Sequence, residues 1–166
     1  MIDRGYVRRM ALYNRWQNQS LFGAAETLSD AQRRQQEGAF WGSIHHTLAH
    51  ILWGDQIWMS RFDNQPPPKG RLDESMLQWE DWGDLKSARD AMDAVLLDWA
   101  ERVLEPWLQG EFSWYSGALG KTLSRPTWIL VTHLFNHQTH HRGQAHALLT
   151  RFGAKPEPTD LAFMEF

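Results

Sequence analysis

The chain has 166 residues, 42% hydrophobic and 22% charged, with a formal net charge of -3. That size suits one domain with a genuine core, and the charge leaves no basic footprint for nucleic acid. The lack of any cysteine excludes disulfides, thiolate metal ligands and a cysteine nucleophile, and no run of roughly eighteen apolar residues is present to span a membrane.

Met1 to Gly5 contains no apolar segment, so the expectation is a protein without a secretion signal, resident in the cytoplasm. The first helical pattern runs from about Asp3 to Leu28, where Tyr6, Met10, Tyr13, Leu21, Ala24 and Leu28 recur at helical steps. A polar stretch from Ser29 to Gly38 follows. Ser43 can cap a second helix reaching about Phe62, and Asp63-Asn64 with Pro66, Pro67, Pro68 and Gly70 end it. Ile44, Leu48, Ile51, Leu52, Trp53, Ile57, Trp58 and Met59 make this helix apolar almost all round, which predicts burial from more than one side. A third pattern covers about Asp84 to Leu104. Residues 108–123, with Phe112, Trp114 and Tyr115 leading into Gly117 and Gly120, read as a short hairpin or irregular loop. The fourth helix takes Pro126 into its first turn, runs to about Phe152, and stops at Gly153, Pro156 and Pro158. Four long amphipathic helices predict an all-α helical bundle, one domain over residues 1–166.

Ten tryptophans suggest wide core or pocket contacts, and the eight histidines are clustered: three at 45, 46 and 50, five between 133 and 146. At about 100° per residue, Leu130, Leu134, Ala145 and Leu148 share one face of the fourth helix. His141 projects to the centre of that face and His137 about 45° from it; His133 and His140 lie roughly 85° and 105° away, and His146 points to the far side. A lone histidine on an apolar face is ordinarily a core residue with one hydrogen bond. Two at i and i+4 stack on one face and have common zinc-site spacing. They are still one ligand short, and the other cluster must supply it. His46 and His50 share a face with Trp53, Gly54 and Ile57, while His45 points away. Spacing does not choose between His46 and His50, although His50 lies deeper in the helix.

At these residues the sequence resembles the DinB/YfiT-like family of bacterial metal-binding bundles. The stretches are Tyr13-Asn14-Arg15-Trp16 with Asn18, then Ser43-Ile44, Thr47 to Leu52, Asp55 and Trp58. Arg125-Pro126, His133 to Gln144 and Pro158 to Leu161 continue them, so the likeness spans nearly the whole chain in order. The resemblance implies an up-down-down-up four-helix bundle, with residues 63–83 as a long crossover between helices two and three. It implies one divalent metal per chain, held by His50, His137 and His141, and it selects His50 over His46. Homodimers are frequent among such proteins.

Three neutral imidazoles with an open position form a catalytic type of site, able to lower the pKa of a bound water or thiol. Imidazole suits zinc, nickel, copper and iron, with zinc or nickel expected here. The resemblance implies a metal-dependent thiol S-transferase acting on electrophilic small molecules in stress or detoxification, with a low-molecular-weight thiol as cosubstrate. A metal-dependent hydrolase and a non-catalytic metal or ligand-binding protein are the alternatives. Of the remaining polar residues, Asn14 and Asn18 sit one turn apart and read as solvated or capping in preference to lining the pocket, and Gln144 reads as an outer partner on the His137 side. Arg61 and Arg142 read as surface or interface cations in preference to anion clamps. Asp55 points about 140° from His50 and stays outside the site.

Overall fold

Short polar side chains that accept the orphan amide hydrogens of a first turn start the helices. In the computed structural model, which describes residues 1–117 and 119–164, Asp3 accepts from Tyr6 N–H at 2.7 Å and opens α1 (Arg4–Glu26). Ser29 and Gln32 form a reciprocal capping box over the short α2 (Asp30–Arg34). Ser43 accepts from His46 N–H at 3.2 Å and opens α3 (Ile44–Phe62). Asp81 accepts from Asp84 N–H at 3.0 Å and opens α4 (Trp82–Arg102). A second short helix, α5 (Glu105–Gln109), carries Pro106 in its first turn, where the missing N–H costs nothing. The last long helix, α6 (Thr127–Arg151), ends at Phe152, and Gly153 adopts the left-handed φ of 80° that closes it.

The expected all-helical class needs one amendment. The fold is mostly helical, but β1 (Glu111–Ser116) and β2 (Lys121–Pro126) pair antiparallel, with Trp114 opposite Leu123. The stretch read as a hairpin or irregular loop over 108–123 is therefore a hairpin over 111–126, and its Ala118 lies outside the described residues. Pro126 is the last residue of β2 and the N-cap of α6, not a first-turn residue. The polar stretch from Ser29 contains α2, and the third pattern breaks at Arg102 before α5. Both short helices are too brief to carry a readable apolar period.

α1 lies against α4 and α6, and α3 lies against the same two. Arg8 meets Glu101 while Lys86 meets Glu26, so α1 and α4 run antiparallel. Asp55 meets Arg89 and Asp63 meets Arg102, so α3 and α4 run parallel. Trp58 meets His133 and His50 meets His141, so α3 opposes α6. Tyr6 meets Phe135 and Arg142 meets Asn14, so α6 follows α1.

α3 is buried on nearly every side, as its apolar circumference predicts. α4 and α6 cover two sides and α2 packs on it. The segment after it folds back as well, since Trp53 Nε1–H donates to Lys69 O at 2.9 Å and His45 Nε2–H to Trp79 O at 2.7 Å. Packing within one chain thus covers most of the apolar circumference of α3. At the far end Phe62 gathers Trp58, Trp99, Trp107 and Phe112 within 5.3–5.9 Å, so the hairpin's inward face completes the aromatic core.

Candidate metal centre

Antiparallel α3 and α6 bring His50 level with His137 and His141, and their ligand-capable nitrogens all lie within 4.8 Å of one another. His50 is 2% exposed and His141 6%, while His137 is half-buried. His50 Nε2 and His137 Nε2 are 3.1 Å apart. Two imidazoles on one tetrahedral ion, each bonded at about 2.0–2.1 Å, would sit about 3.3 Å apart, so this spacing fits a shared ion. The other histidines stand elsewhere. His45 is buried against Trp79 O, His46 lines the cavity one turn away, and His133 and His140 are exposed.

Burial first, then the neighbouring His137 and His141, push His50 down to about 3. Burial, followed by His141, His133 and His140, pushes His137 down to about 3, and burial lowers His141 as well. All three are neutral near pH 7, the form that offers a lone pair to a cation. Their hydrogen bonds set which nitrogen that is. His141 Nδ1–H donates to Gln144 Oε1 at 2.8 Å, and His50 Nδ1 bonds Ser75 Oγ at 2.8 Å. Both rings therefore turn Nε2 inward, the orienting role that outer-shell partners play in metal sites. Gln144 thus serves His141, not the His137 side where its helical phase pointed.

Two further residues shape the site. Gly54 lies beneath His137: a Cβ there would come within 2.9 Å of His137 Cε1. Glycine mid-helix is costly relative to alanine, and close approach of another group is a common reason for it. Trp41 stacks on His50 with ring centroids 4.0 Å apart and lies 6.3 Å from His141. It is carried by a tight turn in which Gly42 N–H donates to Ala39 O at 2.8 Å and Gly42 takes a φ of 83°. Sequence reading missed Trp41, Ser75 and the role of Gly54. The glycine inside an apolar helix, one turn past His50, was the available signal.

His50 and His137 open onto a cavity of about 1800 Å³. Its walls include Trp41, Trp53, Ile57 and Trp58 from around α3, and Trp114 and Tyr115 from the hairpin. A large, mostly apolar concavity with a few convergent polar groups is the usual form of a small-molecule site.

Behind the histidines lies a buried polar network that sequence reading did not find. Arg89, 2% exposed, binds Asp55 at 2.5 Å and Asp93 at 2.8 Å. Asn18 Nδ2–H donates to Asp93 at 2.9 Å, and Gln138 donates to Asp55. Arg142 donates to Asn14 and to Gln138 Oε1, the latter at 3.2 Å. Asn14 and Asn18 are each 1% exposed and Arg142 5%, so they are neither solvated caps nor a surface cation. Although burial opposes its charge, Asp93 and Asp55 raise the pKa of Arg89. The network joins all four long helices and carries two arginines against two aspartates. It runs through Asp55 and Gln138, the immediate chain neighbours of Gly54 and His137, so it fixes the α3–α6 register on which the histidine geometry depends.

Comparison with known proteins bears on the family and the fold. Protein DinB of Bacillus subtilis (strain 168) is 27% identical over 164 residues, covering 93% of this chain and 90% of the relative. The crystal structure of a DinB-like protein from Bacillus cereus ATCC 10987 matches with a TM-score of 0.63 at 16% identity, over 87% of this chain and 91% of that one, which speaks for the fold alone. The sequence profile of the DinB family matches residues 1–166, and the chain belongs to that family.

Proposed function

We propose that this protein holds one divalent metal ion, zinc or nickel, through His50, His137 and His141, and acts as a thiol S-transferase on electrophilic small molecules. The observation that carries the reading is the convergence of three neutral imidazoles at an aromatic cavity with one side open. A divalent ion there would supply Lewis acidity and bring a thiol's pKa toward neutrality. Ser75 and Gln144 hold the Nδ1 sides of two rings so that Nε2 faces the site, and Trp41 stacks on the His50 ring. Trp58 and Trp114 offer an apolar wall to the electrophile and keep bulk water off the reacting atoms. The thiol proton passes to solvent as the sulfur forms its bond to the electrophilic carbon. The bond from that carbon to its leaving group breaks, the group departing to solvent with the electron pair, as chloride does from monochlorobimane. A hydrolase would want a general base. Among the described residues lining the cavity the one carboxylate is Asp73, which pairs with Arg71 at 3.5 Å.

The same proposal takes the chain as a single domain with the up-down-down-up order, the crossover expected over 63–83 ending at residue 81, before α4 begins at Trp82. Support comes from the antiparallel and parallel pairings of α1, α3, α4 and α6. We place it in the cytoplasm as a homodimer; no helix among the described residues is long and apolar enough to cross a membrane.

The test is elemental analysis of untagged protein, followed by thiol conjugation of monochlorobimane and hydrolysis of p-nitrophenyl acetate. We expect one equivalent of metal per chain, lost in His50→Ala, His137→Ala and His141→Ala and retained in His146→Ala, with metal-dependent conjugation. Ester hydrolysis without conjugation would move the assignment to a hydrolase. Bound metal with neither activity would leave a binding protein and end the transferase reading.

A further inference from the structure

Arg61, in the last turn of α3, is half-buried and lines the same cavity as His50 and His137. Its guanidinium carbon lies 4.7 Å from the centroid of the Trp58 ring. Other inward arginines have their charge or donors matched. Arg89 has two carboxylates, Arg33 bonds the Ala25 and Leu28 carbonyls, and Arg142 bonds Asn14, Gln138 and Thr139. Among the described residues no carboxylate pairs with Arg61. The acids nearest in sequence are committed elsewhere, Asp55 to Arg89 and Asp63 to Arg102. Burial lowers the Arg61 pKa, as expected of a cation that has lost water without gaining a counter-charge.

Geometry gives this cation a place relative to the histidines. Arg61 follows Gly54, on which His137 rests, by seven residues, or about 10 Å along the axis at 1.5 Å per residue. Trp58 and His133, with rings 5.4 Å apart, lie between, and Trp114 faces Trp58 at 5.9 Å. The guanidinium carbon sits over the indole, and no hydrogen bond to a described residue occupies its N–H groups, which can offer two parallel bonds to an oxyanion.

We propose that Arg61 is an anion subsite of this cavity. Its ligand carries a carboxylate, sulfonate or similar oxyanion at the opposite end from the one that faces His50 and His137, with an apolar or aromatic body against Trp58 and Trp114. Which end reacts rests on the proposed metal centre; the anion subsite does not.

The test uses the full chain and two probes of matched shape. Naphthalene-2-sulfonate carries the charge and is a poor metal ligand; methyl 2-naphthyl sulfone is neutral. Both are titrated by calorimetry and tryptophan fluorescence into metal-loaded and chelator-treated protein. The wild type should prefer the sulfonate by about 10- to 100-fold, the range of a charge-assisted hydrogen-bonded pair. Arg61→Gln should abolish that preference while leaving sulfone affinity and metal content unchanged, and Arg61→Lys should restore part of it. An unchanged sulfone affinity reports that the variant cavity is folded. Equal affinity for the two probes in the wild type, no sulfonate binding at millimolar concentration, or a preference that survives Arg61→Gln would overturn the subsite. Preference retained after chelation separates this outcome from failure of the metal centre, which elemental analysis reads independently.

Discussion

Gly54→Ala adds one methyl group and should separate metal binding from folding. A Cβ at this position would lie 2.9 Å from His137 Cε1 and 3.2 Å from its Nδ1. Relaxed carbon contacts begin near about 3.5 Å, so the ring must retreat by roughly 0.6 Å. Ligand distances in metal sites hold within about 0.2 Å, so that displacement spoils the fit with His50 and His141. We expect metal affinity to fall about 10- to 100-fold, the size of effect produced when a ring loses its orienting partner. The metal-free protein should change much less. Alanine improves the helix by about 1 kcal/mol, against about 1–3 kcal/mol of crowding. The net destabilisation is at most about 2 kcal/mol, a shift of several degrees for a chain of this size. Competition with a chromophoric chelator measures the affinity, and thermal melts of chelated protein measure the fold. Unchanged metal affinity would refute the close-approach argument. So would a metal-free protein that no longer folds, because the contact would then be part of the core and not of the site.

Metal-free protein should lose stability as pH falls below about 6.5, the unfolded histidine value. His50 and His137 stay neutral down to about 3 in the folded chain. Between those limits the unfolded chain takes up protons that the folded one refuses, at about 1.4 kcal/mol per pH unit for each histidine, and above about 6.5 the contribution is flat. Urea midpoints from pH 7.5 to 5 would show it, and a His50→Gln, His137→Gln double variant with an undiminished slope would exclude these two as the source. Asp55→Ala leaves Arg89 with one carboxylate and Gln138 without its acceptor, and should cost about 3–5 kcal/mol by denaturant unfolding; a loss under about 1 kcal/mol would mean that water reaches the network. Chelation should lower the melting temperature by several degrees, since a hundredfold excess over the dissociation constant contributes about 2.7 kcal/mol. Far-UV helicity at 25 °C should hold, because the helices bury their own apolar faces; its collapse would make the ion structural.

The four long helices were legible because side-chain direction along a helix is a local property. Apolar steps of three and four residues locate α1, α3, α4 and α6 to within about two residues at each end. The same periodicity stacks His137 with His141. Local geometry ends at the helix surface. Nothing in the spacing of His46 and His50 tells which of them meets α6; that depends on the α3–α6 register, which the structure sets with His50 beside His137. Asp55 points away from His50, as its helical phase requires, but what lies in that direction is Arg89 of another helix, 34 residues on. Asn14, Asn18 and Arg142 look solvated for the same reason: a polar group is tolerable in a core only where its partner meets it, and these partners come from other helices. Trp41 and Ser75 sit in connecting segments with no period, so only the folding of those segments onto α3 carries them to His50. The helices and the faces they present are properties of the sequence alone, whereas which faces meet is decided when distant groups compensate one another's lost water.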